Sequence, residues 1–287
     1  MNENQDSLNP QEGLQYIHAW HYDMLANQER SQYYCDLIKE NCRDKVVLEI
    51  GTGSGLLAAL AIKYGAKKVI CCEENPLLAM AAKQLFKRLN IEDRVVLISK
   101  NSNNIATDEI PQVDVVLHEL FGSDPFDEHM VPTLKDARRF MKPDAIFLPE
   151  KIQILYKPLN NHQLPEKLYF EDIELIEMSA LVSSIHPNLR VRDLKNKEVF
   201  SLPEMTIRQL LDKPYSYTEK NPALVGVDAI EVTYLIIHQG KKLQAADFYP
   251  PPGRIHWFPL TFLKLDVHSD KVTFSTQDNN DIQLVVL

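Results

Sequence analysis

Apolar and polar positions alternate along residues 46–150 in a way that predicts strands and helices in turn. Short apolar runs are typical of buried strands, and apolar residues at helical spacing indicate amphipathic helices. The predicted strands are Val46–Ile50, Lys68–Cys72, Arg94–Ile98, Val113–Leu117 and Ala145–Leu148. The predicted helices are Leu56–Tyr64, Leu77–Leu89 and Val131–Met141. Strands that alternate with helices predict an α/β fold with a parallel sheet covered by helices.

The segments on either side of this alternation differ from it. Residues 14–41 have a helical pattern and are expected to pack across the front of the sheet. After Pro149 the chain becomes β-rich, which predicts an antiparallel second half. Its predicted strands are Lys151–Tyr156, Ala229–Ile237, Phe258–Val267, Lys271–Ser275 and Ile282–Leu287. Prolines interrupt residues 160–228, for which no element is predicted, and two domains are expected, residues 1–150 and 151–287.

Composition narrows the function classes. The net charge of −9 argues against a nucleic-acid binder that depends on phosphate contacts. It fits either a surface that attracts basic partners or the ordinary acidity of a soluble protein. No secretory signal and no membrane-spanning run is present in the sequence, so a cytoplasmic protein is expected, with a nuclear location open for a eukaryotic source. The four cysteines are expected to be reduced thiols, and no metal site is predicted.

A glycine-rich turn follows the first predicted strand. Gly51, Gly53 and Gly55 have the spacing G-x-G-x-G, which differs from the G-x-G-x-x-G of dinucleotide-binding turns. Such a turn lets a ligand approach the backbone closely. Glu49 lies just before the turn, where it disfavours a phosphate and favours a ligand with a cationic head. The sequence therefore predicts a nucleotide-type site for a ligand of that kind.

Acidic residues end the second and fourth strands. Glu73 lies roughly 20 residues past the glycines, where an acid can accept hydrogen bonds from both ribose hydroxyls. Its neighbour Glu74 is interpreted as a solvated loop acid. Glu119 and Glu128 flank a loop after the fourth strand, where a carboxylate pair can bind a planar guanidinium. The alternative for Glu128 is that it caps a helix beginning near Met130.

These motifs together resemble one family. The run Glu49–Gly55 resembles motif I of the class I S-adenosylmethionine-dependent methyltransferases. The segment Glu119–Met130 resembles the double-glutamate loop of the protein arginine methyltransferases. The likeness covers most of residues 16–156 and then Ile255–Trp257. It implies a Rossmann-like methyltransferase sheet with N-terminal helices, followed by a barrel-like β domain.

The resemblance also implies an activity and the residues that carry it. The activity is methyl transfer from S-adenosylmethionine, which becomes S-adenosylhomocysteine, to a guanidinium nitrogen of a basic, arginine-containing protein or peptide. Catalytic roles fall on Glu119, Glu128 and His256, the last in proton removal or in positioning the N-terminal helix. Substrate binding falls on Met24 and Trp257. Cofactor binding falls on His21, Arg30, Glu49, Gly51, Gly53, Gly55, Glu73 and Asn103.

The chain departs from the family pattern at several positions. Asn27 replaces the acid that faces the loop histidine, and Ile255 replaces a threonine. Asn103 or Asn104 replaces the acid that contacts adenine. The β half is short for the family, and a homodimer is left open. Two alternatives also stay open: a methyltransferase acting on free arginine or another small guanidino or amino metabolite, and a catalytically inactive, methyltransferase-like binding protein.

Overall fold

The computed structural model describes ten stretches of the chain. They are residues 24–122, 124–126, 128–159, 167–170, 173–177, 198–227, 229–246, 261–264, 270–277 and 281–286. Three of the predicted site residues, His21, His256 and Trp257, lie outside the described residues, so their roles stay predictions.

The first half contains a five-stranded parallel sheet. Its strands in chain order are β1 (Val46–Ile50), β2 (Lys68–Cys72), β3 (Val95–Ile98), β4 (Val113–His118) and β5 (Met141–Leu148). They lie side by side in the order β3-β2-β1-β4-β5, and every neighbouring pair is parallel. The direction of progression across the sheet therefore reverses between β1 and β4. The predicted α/β fold is confirmed.

Strand β5 differs most from its predicted bounds. It begins at Met141 rather than Ala145, and the preceding helix ends at Ala137 before a 3₁₀ turn, Arg138–Phe140. The extension contains Pro143, which suits an edge strand because proline cannot donate to a neighbour. The pairing of β4 with β5 shifts register after Val113, so the extension adds one paired residue before an irregularity.

In the described part of the chain, the helices that accompany the sheet include α1 (Gln28–Asn41), α2 (Leu56–Lys63), α3 (Pro76–Arg88) and α4 (Met130–Ala137). In α1 the buried side chains recur at spacings of three and four residues, so they share one helix face. They are Arg30, Tyr33, Tyr34, Leu37 and Ile38. Asn27 caps α1 by accepting a hydrogen bond from the Arg30 backbone N–H at 2.9 Å. This gives Asn27 a structural role in starting the helix.

The second half is antiparallel, as predicted. Its main sheet has the order β10-β6-β12-β13, with β9 paired to β6 and β14 paired to β12. A second sheet has the order β11-β15-β16, and β7 and β8 form a hairpin. One described helix, α5 (Ile207–Asp212), begins with a capping box formed by Thr206 and Gln209. The strands are β6 (Lys151–Leu159), β7 (Lys167–Phe170), β8 (Ile173–Glu177), β9 (Phe200–Ser201), β10 (Met205–Thr206), β11 (Ser216–Lys220), β12 (Ala229–His238), β13 (Lys241–Gln244), β14 (Thr261–Lys264), β15 (Lys271–Gln277) and β16 (Asp281–Val286).

One hydrophobic core runs through both halves. It extends from Val47 and Val116 in the parallel sheet to Ile154 and Tyr234 in the antiparallel one. The domain boundary at residue 150 and the closure of the β half into a barrel stay predictions. Among the described residues, no helix is long and apolar enough to cross a bilayer. The cysteines Cys35, Cys42, Cys71 and Cys72 are free thiols.

Candidate functional site

A cavity of about 460 Å³ opens at the carboxyl ends of the first four parallel strands. Its walls come from the segments that follow them: Gly51–Ser54 after β1, Glu73–Asn75 after β2, Lys100–Ser102 after β3 and Glu119–Phe121 after β4. The strand order reverses beside β1, and ligands of open α/β sheets bind at such switch points. The cavity therefore lies where the fold favours a ligand.

Most of the predicted site residues that the structure describes meet in this cavity. They are Met24, Arg30, Glu49, Gly51, Gly53, Glu73, Glu119 and Glu128. Gly55 and Asn103 are not part of its lining. The residues come from six separate segments of the chain, and folding brings these segments to a single site.

Arg30 and Glu119 form a buried ion pair in the cavity wall. Arg30 Nη2 donates to Glu119 Oε2, and the two side chains are only 3% and 9% exposed. Burial opposes the charge on Arg30, but the Glu119 carboxylate outweighs it and raises the pKa of Arg30. Burial also raises the pKa of Glu119, against the opposing effect of Arg30. Two residues predicted to bind different ligands are therefore in direct contact.

The loop between Glu119 and Glu128 makes a hydrogen bond and aromatic contacts with the β-rich half. The Tyr234 hydroxyl donates to the Gly122 carbonyl at 2.7 Å, and the Phe121 and Tyr234 ring centroids lie 5.9 Å apart. Phe126 stacks on Tyr215 at 6.3 Å between centroids. These contacts join the segment between the two glutamates to the β-rich half. Sequence reasoning missed them because the partners are far apart along the chain.

Glu128 is exposed and lines the cavity beside the start of α4. The N-cap position of α4 is His129, which has a left-handed backbone with φ 53° and makes no side-chain capping bond. Because Glu128 precedes the cap, the helix begins one residue too late for Glu128 to be its N-cap. The capping alternative is therefore not favoured, and the Glu128 carboxylate is presented to the cavity.

Replacing Tyr234 with Phe is expected to lower the free energy of unfolding by about 1–2 kcal/mol, because the buried Gly122 carbonyl loses this donor. Urea denaturation of both proteins measures the difference. Tyr217→Phe is a suitable control because Tyr217 is only half-buried. Equal losses in the two variants would show that the Tyr234 hydroxyl does not fasten the loop.

Glu49 is a buried acid below the glycine turn. It accepts hydrogen bonds through Oε2 from Thr52 Oγ1 at 3.2 Å and Cys71 Sγ at 3.6 Å. Its other oxygen, Oε1, has no hydrogen-bond partner among the described residues. Burial raises the pKa of Glu49 to about 8. A buried carboxyl oxygen that lacks a donor suits the ammonium group of a ligand, which would donate to it and favour the ionised form of Glu49.

The pKa of Glu49 predicts a dependence of stability on pH. Between about pH 4.5 and pH 8 the folded protein holds a proton at Glu49 that the unfolded chain releases, so stability falls as pH rises. Glu49→Gln imitates the protonated acid, so residue 49 of the variant should not contribute a fall in stability over this pH range. Relative to the variant, the native protein should lose about 3 kcal/mol of unfolding free energy between pH 5 and pH 8.

Urea denaturation of native protein and Glu49→Gln at pH 5 and pH 8 measures this loss. The buried His118, whose burial lowers its pKa to about 4, is present in both proteins and cancels in the difference. A difference between the two proteins that does not change with pH would contradict the raised pKa of Glu49.

Glu73 supports the glycine turn. Its Oε2 accepts from the Gly53 N–H at 2.7 Å, and its Oε1 accepts from the Asn75 N–H at 2.8 Å. Each carboxylate oxygen has a second lone pair, so acceptance from a ligand hydroxyl remains open. Burial raises the pKa of Glu73, and the two backbone donors oppose this effect. The ribose role of Glu73 stays a prediction.

Three cavity residues after β3 were not predicted: Lys100, Asn101 and Ser102. Asn101 Nδ2 donates to Glu74 Oε2 at 2.8 Å, and Asn101 Oδ1 accepts from the Asn103 N–H at 3.0 Å. Glu74 also lines the cavity, although it was interpreted as a solvated loop acid. Six polar residues, Ser99–Asn104, follow β3 in sequence, so the sequence pattern alone does not single out Asn101.

Gly55 lies behind the cavity wall rather than on it. Its φ is +87°, and a Cβ built there would lie 2.8 Å from Cε1 of Phe86. The absence of a side chain thus allows the start of α2 to pack closely on α3. Among the described residues, no group of three His, Cys, Asp or Glu side chains is arranged to hold a metal ion.

Comparison with known proteins supports the resemblance found in the motifs. A family model for ribosomal protein L11 methyltransferase (PrmA) matches residues 33–146. An arginine N(omega)-methyltransferase of Streptomyces achromogenes subsp. streptozoticus is 34% identical over 142 residues, which cover 48% of this chain and 39% of that protein. Protein arginine N-methyltransferase 2 of Dictyostelium discoideum is 28% identical over 86% of this chain and 47% of its own length.

Solved structures show the same fold. A crystal structure of PRMT6 matches with a TM-score of 0.72 and 17% identity, over 97% of this chain and 100% of that one. The PRMT1 enzyme–prozyme heterotetramer of Trypanosoma brucei, solved with AdoHcy, matches with a TM-score of 0.65 and 22% identity, over 91% and 87%. The alignments span less than half the length of the curated relatives. In sequence and in fold, the chain is similar to arginine methyltransferases, as the double-glutamate segment predicts.

Proposed function

We propose that this protein transfers a methyl group from S-adenosylmethionine to a guanidinium nitrogen of arginine in proteins or peptides. The observation that carries the proposal is the position of Glu119 and Glu128 on the wall of one cavity with the glycine turn, Glu49 and Glu73. The net charge of −9 favours encounter with basic, arginine-containing acceptors.

The order of the strand ends favours one placement of the cofactor among the cavity residues. Glu73, after β2, would hold the ribose hydroxyls, and the glycine turn would let the ligand approach the backbone. Glu49 would pair with the ammonium group, and Arg30 would bind the carboxylate with its planar fork. The bound cofactor would supply an electrophilic methyl group on a sulfonium. The chain thus offers an oppositely charged partner for the ammonium and for the carboxylate of this ligand.

The two glutamates would prepare the acceptor nitrogen. Carboxylates hydrogen-bonded to two sides of a guanidinium hold its plane and draw positive charge toward themselves. The lone pair of the remaining nitrogen is then better able to attack the methyl carbon in line. Most of the rate enhancement would come from positioning and electrostatics. His256 keeps its predicted role in proton removal or in helix positioning.

An acceptor panel tests the proposal. The protein is incubated with S-adenosylmethionine and one of three acceptors, and S-adenosylhomocysteine formation is followed. The acceptors are an arginine- and glycine-rich peptide, the same peptide with every arginine replaced by lysine, and free arginine. Turnover with the arginine peptide and none with the lysine peptide is expected. Turnover with the lysine peptide alone would refute a guanidinium acceptor.

A second candidate keeps the chemistry and changes the acceptor. The relative from Streptomyces achromogenes subsp. streptozoticus is named for arginine, without mention of protein. This name favours free arginine or a similar small guanidino compound as the alternative acceptor. In the panel, turnover with free arginine that exceeds turnover with the peptide would establish it. Binding of S-adenosylhomocysteine without turnover of any acceptor would instead favour an inactive binding protein.

We also propose that the protein acts in the cytoplasm and forms a homodimer. The free thiols of Cys42, Cys71 and Cys72 suit a reducing compartment. The heterotetrameric assembly of the Trypanosoma brucei relative supports association between chains of this kind. Light scattering of the purified protein measures its mass in solution, and a monomer at micromolar concentration would refute the dimer.

A further inference from the structure

We propose that Arg30 is a positioning residue that couples the two ligands, so that the acceptor guanidinium binds more tightly when the cofactor carboxylate is present. This inference rests on the proposed function, because it concerns the cofactor and the acceptor named there. The coupling goes beyond the proposed function because Arg30 has two carboxylate partners, Glu119 and the cofactor. Binding of the cofactor and binding of the acceptor then depend on each other.

The position of Arg30 is fixed by its helix. Its backbone N–H is bonded to the Asn27 cap at 2.9 Å, and its guanidinium carbon lies 5.3 Å from the centroid of the Tyr34 ring. Arg30 is only 2% exposed. The Arg30 side chain is almost inaccessible to water, so its charge remains inside the site whichever ligand is bound.

Glu119 is the buried member of the glutamate pair, and Glu128 is the exposed one. In the open site, water screens the charge of Glu128, so Glu128 contributes less than a buried carboxylate to the initial binding of an acceptor. The affinity of the site for an acceptor cation therefore depends mainly on Glu119. Arg30 already donates to Glu119 through Nη2, so the charge on Glu119 is partly neutralised by the protein itself.

The balance of buried charge gives the coupling. Arg30 and Glu119 together are neutral, so an acceptor guanidinium that enters alone adds a positive charge beside Arg30 that, of the two glutamates, only the exposed Glu128 opposes. Such a charge is costly in a poorly solvated site. The cofactor carboxylate compensates it by binding Arg30, whose five donors can serve two carboxylates. Three ion pairs then form: carboxylate with Arg30, ammonium with Glu49, and acceptor with Glu119.

A purely structural role for this ion pair makes a different prediction. If Arg30 only held α1 against the loop after β4, replacing Arg30 would lower the stability of the fold and the affinity for both ligands together. The affinity of the acceptor would then be indifferent to whether the cofactor analogue has a carboxylate. Coupling between ligands is reciprocal, so it can be measured from either side.

Calorimetric titration of the arginine peptide tests the inference. The protein is first saturated with S-adenosylhomocysteine or with its analogue that lacks only the carboxylate, an aminopropylthio-adenosine. The peptide Kd is expected to be about tenfold lower with S-adenosylhomocysteine, within the usual range of coupling between sites. Arg30→Gln should bring this ratio close to one, whereas Arg30→Lys should keep part of it. Glu128→Gln is the matched control. It should weaken binding of the peptide while keeping the ratio of the two peptide Kd values.

The outcomes separate this inference from the function on which it rests. Equal peptide affinity with the two cofactor analogues in the native protein overturns the coupling, while binding of both ligands leaves the proposed function standing. This comparison uses only the native protein, so it holds even where an Arg30 variant fails to fold. Failure of the native protein to bind S-adenosylhomocysteine and the peptide at all overturns both proposals.

Discussion

Glu128→Gln should lower kcat for methyl transfer about 10²–10³-fold, the usual effect of removing one preorganised charge partner from a transition state. Glutamine has nearly the same size, but it is neutral and draws little positive charge from the acceptor guanidinium. The lone pair of the attacking nitrogen then stays delocalised. Since Glu128 is exposed, the change should leave the free energy of unfolding nearly unaltered.

Glu128 gives a cleaner test than Glu119. Replacing Glu119 leaves the Arg30 charge buried without this carboxylate, and breaking a buried pair in this way typically costs about 3–5 kcal/mol. Loss of activity in Glu119→Gln would therefore mix chemistry with folding. Because Glu128 is exposed, its replacement should change the chemistry with little effect on folding.

Initial rates at saturating cofactor and peptide measure the effect, with thermal unfolding of each protein as the check on folding. Glu92→Gln is the matched control, because Glu92 is an exposed acid that is not part of the cavity lining. It should retain the native rate. A Glu128→Gln protein that turns over at the native rate would remove the two-glutamate clamp from the mechanism.

Gly55→Ala should destabilise the protein by about 2–4 kcal/mol, the sum of backbone strain and overpacking. The backbone at Gly55 has φ +87°, a region that alanine rarely adopts. The added Cβ would also lie 2.8 and 2.9 Å from two carbons of the Phe86 ring and 3.1 Å from the Ala82 Cβ. All three atoms belong to side chains of α3, so Phe86 and Ala82 have to shift to admit the added carbon.

Gly53→Ala separates the two causes within the same turn. Gly53 also has a positive φ, +57°, but a Cβ there meets nothing within 4 Å. It should lose only about 1 kcal/mol, from backbone strain alone. Urea denaturation of the three proteins measures the difference. Equal losses at Gly53 and Gly55 would show that α3 accommodates the extra carbon and that Gly55 is required for its backbone alone.

The parallel sheet was predictable because local patterns determine it. Strands β1 and β4 are buried almost throughout, so their sequences are apolar runs, and polar residues begin where each strand ends. The topology then places Glu73 and Glu119 at one edge of the sheet. This is why most of the described candidate residues, chosen from the sequence, line a single cavity, while their roles stay predictions.

Contacts between distant segments could not be predicted in the same way. The hydrogen bond from Tyr234 to Gly122 spans the two halves, and no local pattern indicates it. The pairing of Arg30 with Glu119 depends on how α1 lies over the sheet, which the helical pattern alone does not fix. Gly55 illustrates a different limit: its spacing within the glycine turn suggests ligand contact, whereas its role in the fold is close packing on Phe86.

The central claim is methyl transfer to an arginine nitrogen, and tandem mass spectrometry tests it most directly. The protein is incubated with S-adenosylmethionine that has a trideuteromethyl group and with the arginine- and glycine-rich peptide. The label is expected on the guanidino group of arginine with the native protein, and it should be nearly absent with Glu128→Gln. Label found on another residue type, or no label although both ligands bind, would contradict arginine methylation.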